Sequence, residues 1–294
     1  MNYSEHRPGA ALAPWIECAW FASGATGRPA AAPERVLPDG CVEWVFHFGD
    51  PFLRWSADGR SEKQPSSFVV GEMTRPLFVS PSGRVSTMGV RFRPGAAYRF
   101  LPVPLEDLTD SAVPTADLWR AEGRDLENSL HESRGEEDRL AAIAGFLLGR
   151  LSRESSKRPR LDEAVRLLIE TRGRMTVERL SRRIGWSRRQ LEREFLRGVG
   201  IPPKALARIL RFQNALRLAG SAPSPSWAGI AADCGYADQA HLVREFRELS
   251  GATPTEPDLA GELTRNFVAP ERLEELLRPA GDVAFVQDAG AIRA

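Results

Sequence analysis

Apolar and polar positions change rhythm twice along this 294-residue chain. Residues 41–48 (Cys-Val-Glu-Trp-Val-Phe-His-Phe) are rich in β-branched and aromatic side chains. They follow a Pro38-Asp39-Gly40 turn and stop at Gly49-Asp50-Pro51, which predicts a strand held between turns. Residues 67–71 and 77–80 are shorter candidates. The turn Pro81-Ser82-Gly83 leads into 85–93, where Met88, Val90 and Phe92 alternate with polar or small neighbours. Short strands separated by Gly and Pro turns predict an antiparallel sheet or small barrel up to about residue 105.

Past Pro94 the period becomes helical. Residues 95–100 and 105–108 read as short helices. Residues 136–153 form a longer one, with Leu140, Ile143, Ala144, Leu147, Leu148 and Leu151 along one stripe that faces either the N-terminal sheet or a second subunit. The polar, basic, proline-containing stretch 152–160 marks a domain boundary. The expected fold class is therefore α+β: an antiparallel β-rich, sensor-like domain over 1–153, an all-α domain over 154–258, and a C-terminal extension over 259–294. In that extension 270–277 predicts a helix and 283–286 a strand.

The helical part contains a repeat. Leu180-Ser181-Arg182-Arg183-Ile184-Gly185-Trp186-Ser187 continues through Leu191 and Phe195 to Gly200 and Pro203. Ile230-Ala231-Ala232-Asp233-Cys234-Gly235-Tyr236-Ala237-Asp238 continues through Leu242 and Phe246 to Gly251 and Pro254. The offset is 50 up to the glycine of the turn and 51 from the second helix onward, so the extra residue falls in the turn. Each copy predicts a helix-turn-helix. A glycine makes the tight exit from the first helix, an aromatic residue packs between the helices, and Ser187 or Asp238 caps the second. Between the copies, 204–219 predicts a stiff connecting helix. Two recognition helices enter successive major grooves only when held about 34 Å apart.

The overall net charge of +1 is uninformative, but its distribution is not. Residues 157–258 carry 19 Lys and Arg against 12 Asp and Glu, a net of +7, and the remainder carries −6. A basic block beside an acidic remainder is the asymmetry expected when one domain faces phosphate. Three scattered cysteines, Cys18, Cys41 and Cys234, share no metal-ligand spacing. Together with the absence of an eighteen-residue apolar run or a signal-like N-terminus, they predict a cytoplasmic protein that does not enter a membrane. No Gly-x-Ser-x-Gly, phosphate-binding glycine loop or Cys/His cluster is found, so no catalytic residue and no cofactor are expected. A DNA-targeted enzyme, or an adaptor that keeps the fold without DNA contacts, are the alternatives to a regulator.

The paired turns, the Leu-x-x-x-Phe pairs and the closing Gly251-Ala252-Thr253-Pro254, spread over 161–257, resemble the AraC/XylS family of transcription regulators. The resemblance implies a seven-helix, two-lobed domain that binds a double-stranded DNA operator, commonly activating transcription beside RNA polymerase. It also carries roles onto particular residues. Arg189, Glu192 and Arg193 lie opposite Leu191 and Phe195 and match the family's base-reading positions, as do Gln239, Ala240, Val243 and Arg244 in the second copy. Arginines suit guanine, Glu192 suits cytosine or instead orients Arg188 or Arg189, and Gln239 suits adenine. Arg182, Arg183, Ser187, Arg188 and Arg197 are expected at phosphates.

Leu37-Pro38-Asp39-Gly40-Cys41-Val42-Glu43, Gly89-Val90-Arg91-Phe92-Arg93-Pro94-Gly95 and 105–119 resemble a sensor-type domain on some family members, which implies a small-molecule effector of unspecified chemistry. Trp44, Phe46, Phe48, Trp55, Met88 and Phe92 either line an effector pocket or form the core of a small sheet domain. All but Phe48 are retained as candidate pocket residues. Arg75, Arg91 and Arg93 either meet an anionic effector or form surface pairs. Glu43 and His47 are four apart in a strand, about 13 Å, too far to chelate one ion together, so no metal is expected. The assembly state is open, a homodimer included.

Overall fold

The computed structural model describes residues 2–24, 33–56, 58–153, 158–221 and 225–255. The sequence expectations for 270–277 and 283–286 lie outside them. The N-terminal half is built from ten strands: β1 (Asn2–His6), β2 (Ile16–Gly24), β3 (Glu34–Val36), β4 (Glu43–His47), β5 (Leu53–Trp55), β6 (Ser61–Lys63), β7 (Ser67–Val70), β8 (Leu77–Ser80), β9 (Val85–Phe92) and β10 (Ala112–Pro114). They form a six-stranded sheet of order β1-β2-β9-β4-β7-β10 and a four-stranded sheet of order β3-β8-β5-β6, antiparallel at every pairing.

The larger sheet is covered on both faces. One face meets the smaller sheet across Cys18, Trp20, Ala22, Val45, Phe68 and Val85. The other carries Ala19, Phe21, Trp44, Phe46, Met88, Val90 and Phe92 into a core closed by two long helices, α1 (Thr115–Glu132) and α2 (Glu136–Arg153). Trp44 donates to Thr115 Oγ1 at 2.8 Å and its ring lies 4.4 Å from that of Trp119. Double burial explains why β2 escapes pattern reading: Ile-Glu-Cys-Ala-Trp-Phe-Ala shows a run of apolar residues instead of a clean alternation. Helix α1 is hidden for a different reason. Its stripe of Trp119, Leu126 and Leu130 is diluted by Gly123 and charged residues. The stripe predicted over 136–153 turns Ile143 and Leu147 into this core and leaves Leu148 exposed. Residues 97–99 and 105–108 form 3₁₀ turns.

The second half is wholly helical: α3 (Pro159–Glu170), α4 (Val177–Ile184), α5 (Arg188–Val199), α6 (Pro203–Gly220), α7 (Trp227–Asp233) and α8 (Gln239–Ser250). One core joins them, with Leu161, Leu180, Leu191, Phe195, Leu206, Phe212, Leu242 and Phe246 at its centre. Helix α6 spans 18 residues, about 27 Å at 1.5 Å per residue, and buries residues from all round its surface because both lobes pack on it.

The halves are docked. Leu37, at the start of the loop before β4, joins the helical core, and Gln213 of α6 donates to the Pro38 carbonyl at 2.6 Å. A Cβ added at Gly40, whose φ is +81°, would sit 3.1 Å from Leu206. Asp162 of α3 accepts from Tyr98 at 3.0 Å and pairs with Arg99 at 2.5 Å. Thr109 donates to the Gly200 carbonyl at the end of α5 at 2.7 Å.

Candidate nucleic-acid interface and a cavity behind it

Both turns have the predicted chemistry. Helix α4 is capped by Thr176, whose hydroxyl accepts from Arg179 N, and it ends at Gly185 with φ +72°. That left-handed exit reverses the chain so that Trp186 packs back on the helical core and Ser187 caps α5, accepting from Gln190 N at 3.2 Å. In the second unit Ser226 caps α7, Gly235 has φ +76°, Tyr236 is buried, and Asp238 caps α8 by accepting from His241 N at 2.6 Å.

Capping and core packing together set which side chains face out. Leu191 and Phe195 are fully buried, so Arg189 and Arg193 are exposed and Glu192 stands half-exposed between them. Arg182, Arg183, Ser187, Arg188 and Arg197 are exposed as well. In the second unit Leu242 and Phe246 anchor α8, and Gln239, Ala240 and Arg244 are exposed beside a half-buried Val243. Of the partners considered for Glu192, the structure selects Arg188, at 3.3 Å. Arg188 also approaches Glu178 of α4 at 3.8 Å, and Arg193 lies 3.4 Å from Glu194.

The second lobe is held to α6 by a buried carboxylate. Glu245 accepts from Arg208 Nε at 2.9 Å and from Arg211 at 3.2 Å. Removing one member of such a buried set strands the others in low dielectric, so it fixes the lobe's orientation. Tyr236 lies over Arg211 at 5.3 Å and against His241 at 5.4 Å.

Between the two sheets lies a cavity of about 130 Å³. Its floor is layered by strand register. Arg91 pairs across with Glu43 and Glu43 with Val70; Trp20 with Gly89, Gly89 with Val45, Val45 with Phe68; Ala22 with Thr87 and Thr87 with His47. Asp39 and Cys41 join the charged layer from the docking loop, and Gln64 joins the far, polar layer. Arg91 is buried, bonded to Glu43 at 2.6 Å and paired with Asp39 at 3.2 Å. Burial disfavours its charge, yet Glu43, Asp39 and Glu17 outweigh that and hold the guanidinium above its usual range. Burial, then Asp39 and Glu17, push the Cys41 thiol up; burial and Asp39 raise Glu72. At the other end His47 meets Thr87 and Gln64, each at 3.1 Å, and burial lowers its pKa against the pull of Gln64.

This corrects the pocket expected from sequence. Trp44, Phe46, Met88 and Phe92 lie on the opposite face of the sheet, sealed under α1 and α2, and Trp55 bonds Ser80 in the smaller sheet without lining the cavity. The physical reason is parity: in a strand buried on both faces the aromatic alternate residues filled the helix-covered core, and the mixed Glu43, Val45 and His47 faced the cavity. A polar parity within an otherwise apolar strand was the available signal. Arg91 is a buried member of the cavity wall, Arg93 bonds the Ala13 carbonyl, and Arg75 is exposed 3.9 Å from Asp110. Glu43 and His47 both line the cavity, and among the described residues no group of three or more His, Cys, Asp or Glu is disposed to hold a metal ion.

The fold and its exposed faces define a class, a double helix-turn-helix domain joined to a β-rich domain. Residues 180–257 match the family model described as Helix-turn-helix domain, and this part of the chain is an AraC-type helix-turn-helix domain. Residues 4–114 match a domain of unknown function, DUF6597. Among solved structures the chain is similar to ToxT from Vibrio cholerae, at 10% identity and a TM-score of 0.47, covering 83% of this chain and 99% of that one. It is also similar to a probable AraC family transcriptional regulator from Rhodopseudomonas palustris, at 26% identity and a TM-score of 0.29, covering 37% of this chain and 97% of that one. Among curated proteins none matches this sequence. No helix of the described residues is long and apolar enough to cross a membrane.

Proposed function

We propose that the protein is a one-component, sequence-specific transcription regulator that grips duplex DNA with α5 and α8 and answers to a small molecule held between its sheets. The observation that carries this reading is the pair of capped, outward-facing recognition helices fastened to one buried connecting helix, in a domain of AraC type. Arg189, Glu192 and Arg193, with Gln239, Ala240, Val243 and Arg244, read base edges. Arg182, Arg183, Ser187, Arg188 and Arg197 hold phosphates. Arg188 already braces Glu192 before DNA arrives, so less side-chain freedom is lost on binding. The first unit supplies most of the affinity, since its outward face carries the arginines, and the second tunes specificity.

The docking loop supports a route from effector to DNA. Asp39 faces Arg91 in the cavity, and its neighbour Pro38 accepts from Gln213 on the helix that carries both reading units. A ligand that shifts Asp39 therefore acts on the seat of α6. RNA polymerase is the expected downstream partner, and the reading involves no catalysis.

Selection of bound duplexes from a random pool tests this directly and returns the operator. Affinity for the selected duplex is expected to fall steeply with salt, as it does when phosphate contacts release counterions. An enriched pool with no consensus, or binding indifferent to salt, refutes the reading and favours the adaptor alternative.

A further inference from the structure

The cavity's charged end holds more negative than positive groups. The carboxylates of Asp39 and Glu43 both line it there against the one guanidinium of Arg91. Arg91 gives Nε and Nη2 to Glu43, while its Nη1 lies 3.2 Å from Asp39 as an ion pair without a hydrogen bond. An anionic ligand would add a further negative charge beside Asp39 and Glu43 inside a low-dielectric wall, where like-charge repulsion is weakly screened. A cation entering here meets the opposite situation.

One strand layer further in, the cavity is lined by Trp20, Val45 and Phe68. A Cβ at Gly89 would fall 2.1 Å from the Trp20 ring, so the indole lies directly over that glycine and presents its other face to the cavity. Two residues along a strand are about 7 Å, so the apolar layer is one ring deep between the carboxylates and His47. At about 130 Å³ the cavity is slightly smaller than the void of about 150 Å³ that holds benzene, so a single ring is the upper limit for its apolar part.

We infer that the cavity takes an organic cation: a protonated amine on an apolar body about the size of one aromatic ring, its ammonium received by Glu43 and Asp39 and its ring seated between Trp20 and Phe68. A hydroxyl or carbonyl at the far end of such a molecule meets His47, Thr87 and Gln64. This rests on the proposed effector role of the cavity and names its chemistry. The ammonium competes with Arg91 for Asp39, which places the ligand's charge at the base of the loop bonded to Gln213.

The test is calorimetric titration of the full chain with three near-isosteres, phenethylamine, phenethyl alcohol and hydrocinnamate. Phenethylamine is expected to bind, and about tenfold or more tightly than either of the others. Glu43→Gln is expected to weaken the amine by about ten- to a hundredfold, the loss of one charge-assisted hydrogen bond, and to weaken the alcohol severalfold less than the amine. Thermal unfolding of the variant accompanies the titration, and the charge series on the unaltered protein stands without any variant. Preference for hydrocinnamate, parity between amine and alcohol, or no binding by any of the three overturns the inference. Duplex binding is measured on the same preparation: if it is intact while hydrocinnamate wins, the cation assignment falls and the regulator reading stands.

Discussion

Gln213 offers the sharpest test of how the two halves are joined. Its side chain is buried, its Nε2 donates to the Pro38 carbonyl at 2.6 Å, and its Oε1 has no hydrogen-bond partner among the described residues. Replacement by alanine leaves the buried Pro38 carbonyl without a donor at about 1–3 kcal/mol, removes the stranded Oε1, which returns about 1–3 kcal/mol, and opens a void. Replacement by methionine changes the two polar groups in the same way but fills the void, so the two variants differ by the void alone. Gln213→Ala is therefore expected to destabilise by about 2–4 kcal/mol and Gln213→Met by no more than about 1 kcal/mol. Urea unfolding at matched protein concentration reads both midpoints. Both variants break the link from the docking loop to α6, so in each the duplex affinity is expected to stop responding to cavity ligands. Equal destabilisation by the two substitutions refutes the packing argument, and a ligand response surviving in Gln213→Met refutes the relay.

Three further perturbations probe other parts of the molecule. Arg193→Ala is expected to weaken operator binding by about 1–3 kcal/mol and relax preference at one base step; unchanged binding by this variant while Arg244→Ala abolishes it would invert the proposed ranking of the two units. Gly185→Ala places a Cβ in open space at a positive φ and is expected to cost about 1–2 kcal/mol. Gly173→Ala, whose Cβ would meet the Ala207 carbonyl at 2.0 Å, is expected to cost several kcal/mol, so comparable melting temperatures for the two would contradict the geometry. His47 carries a pKa lowered from 6.5 by burial. The unfolded chain then binds the proton that the native state refuses, and stability is lost as pH falls below about 6.5, by at most about 1.4 kcal/mol per pH unit. His47→Gln should flatten that limb of the unfolding free energy measured against pH.

The local architecture of the reading domain could be written from residues alone. Its decisive features are short-range: a glycine that takes a left-handed exit, a capping hydroxyl or carboxylate one turn later, and Leu and Phe four apart on one helix face. Each is set by backbone sterics and by hydrogen bonds within a few positions, which is why the faces carrying Arg189, Arg193, Gln239 and Arg244 were legible. The pairing of Glu192 with Arg188 was one of the alternatives that periodicity left standing, and only the side-chain geometry chose it.

The N-terminal half is governed by distant contacts. Its strands are two-faced, and alternation states that successive residues diverge without stating which face is helix-covered core and which is cavity. Trp44 and Phe46 went to one side and Glu43, Val45 and His47 to the other because α1 and α2 close over the larger sheet, and those helices lie some seventy residues or more further along the chain. Sequence by itself thus determined the caps, turns and outward-facing helix sides, where every partner is a near neighbour. Tertiary structure decided the cavity, the burial of Arg91 among carboxylates and the bond from Gln213 to Pro38, because each depends on segments that meet only when the whole chain has folded.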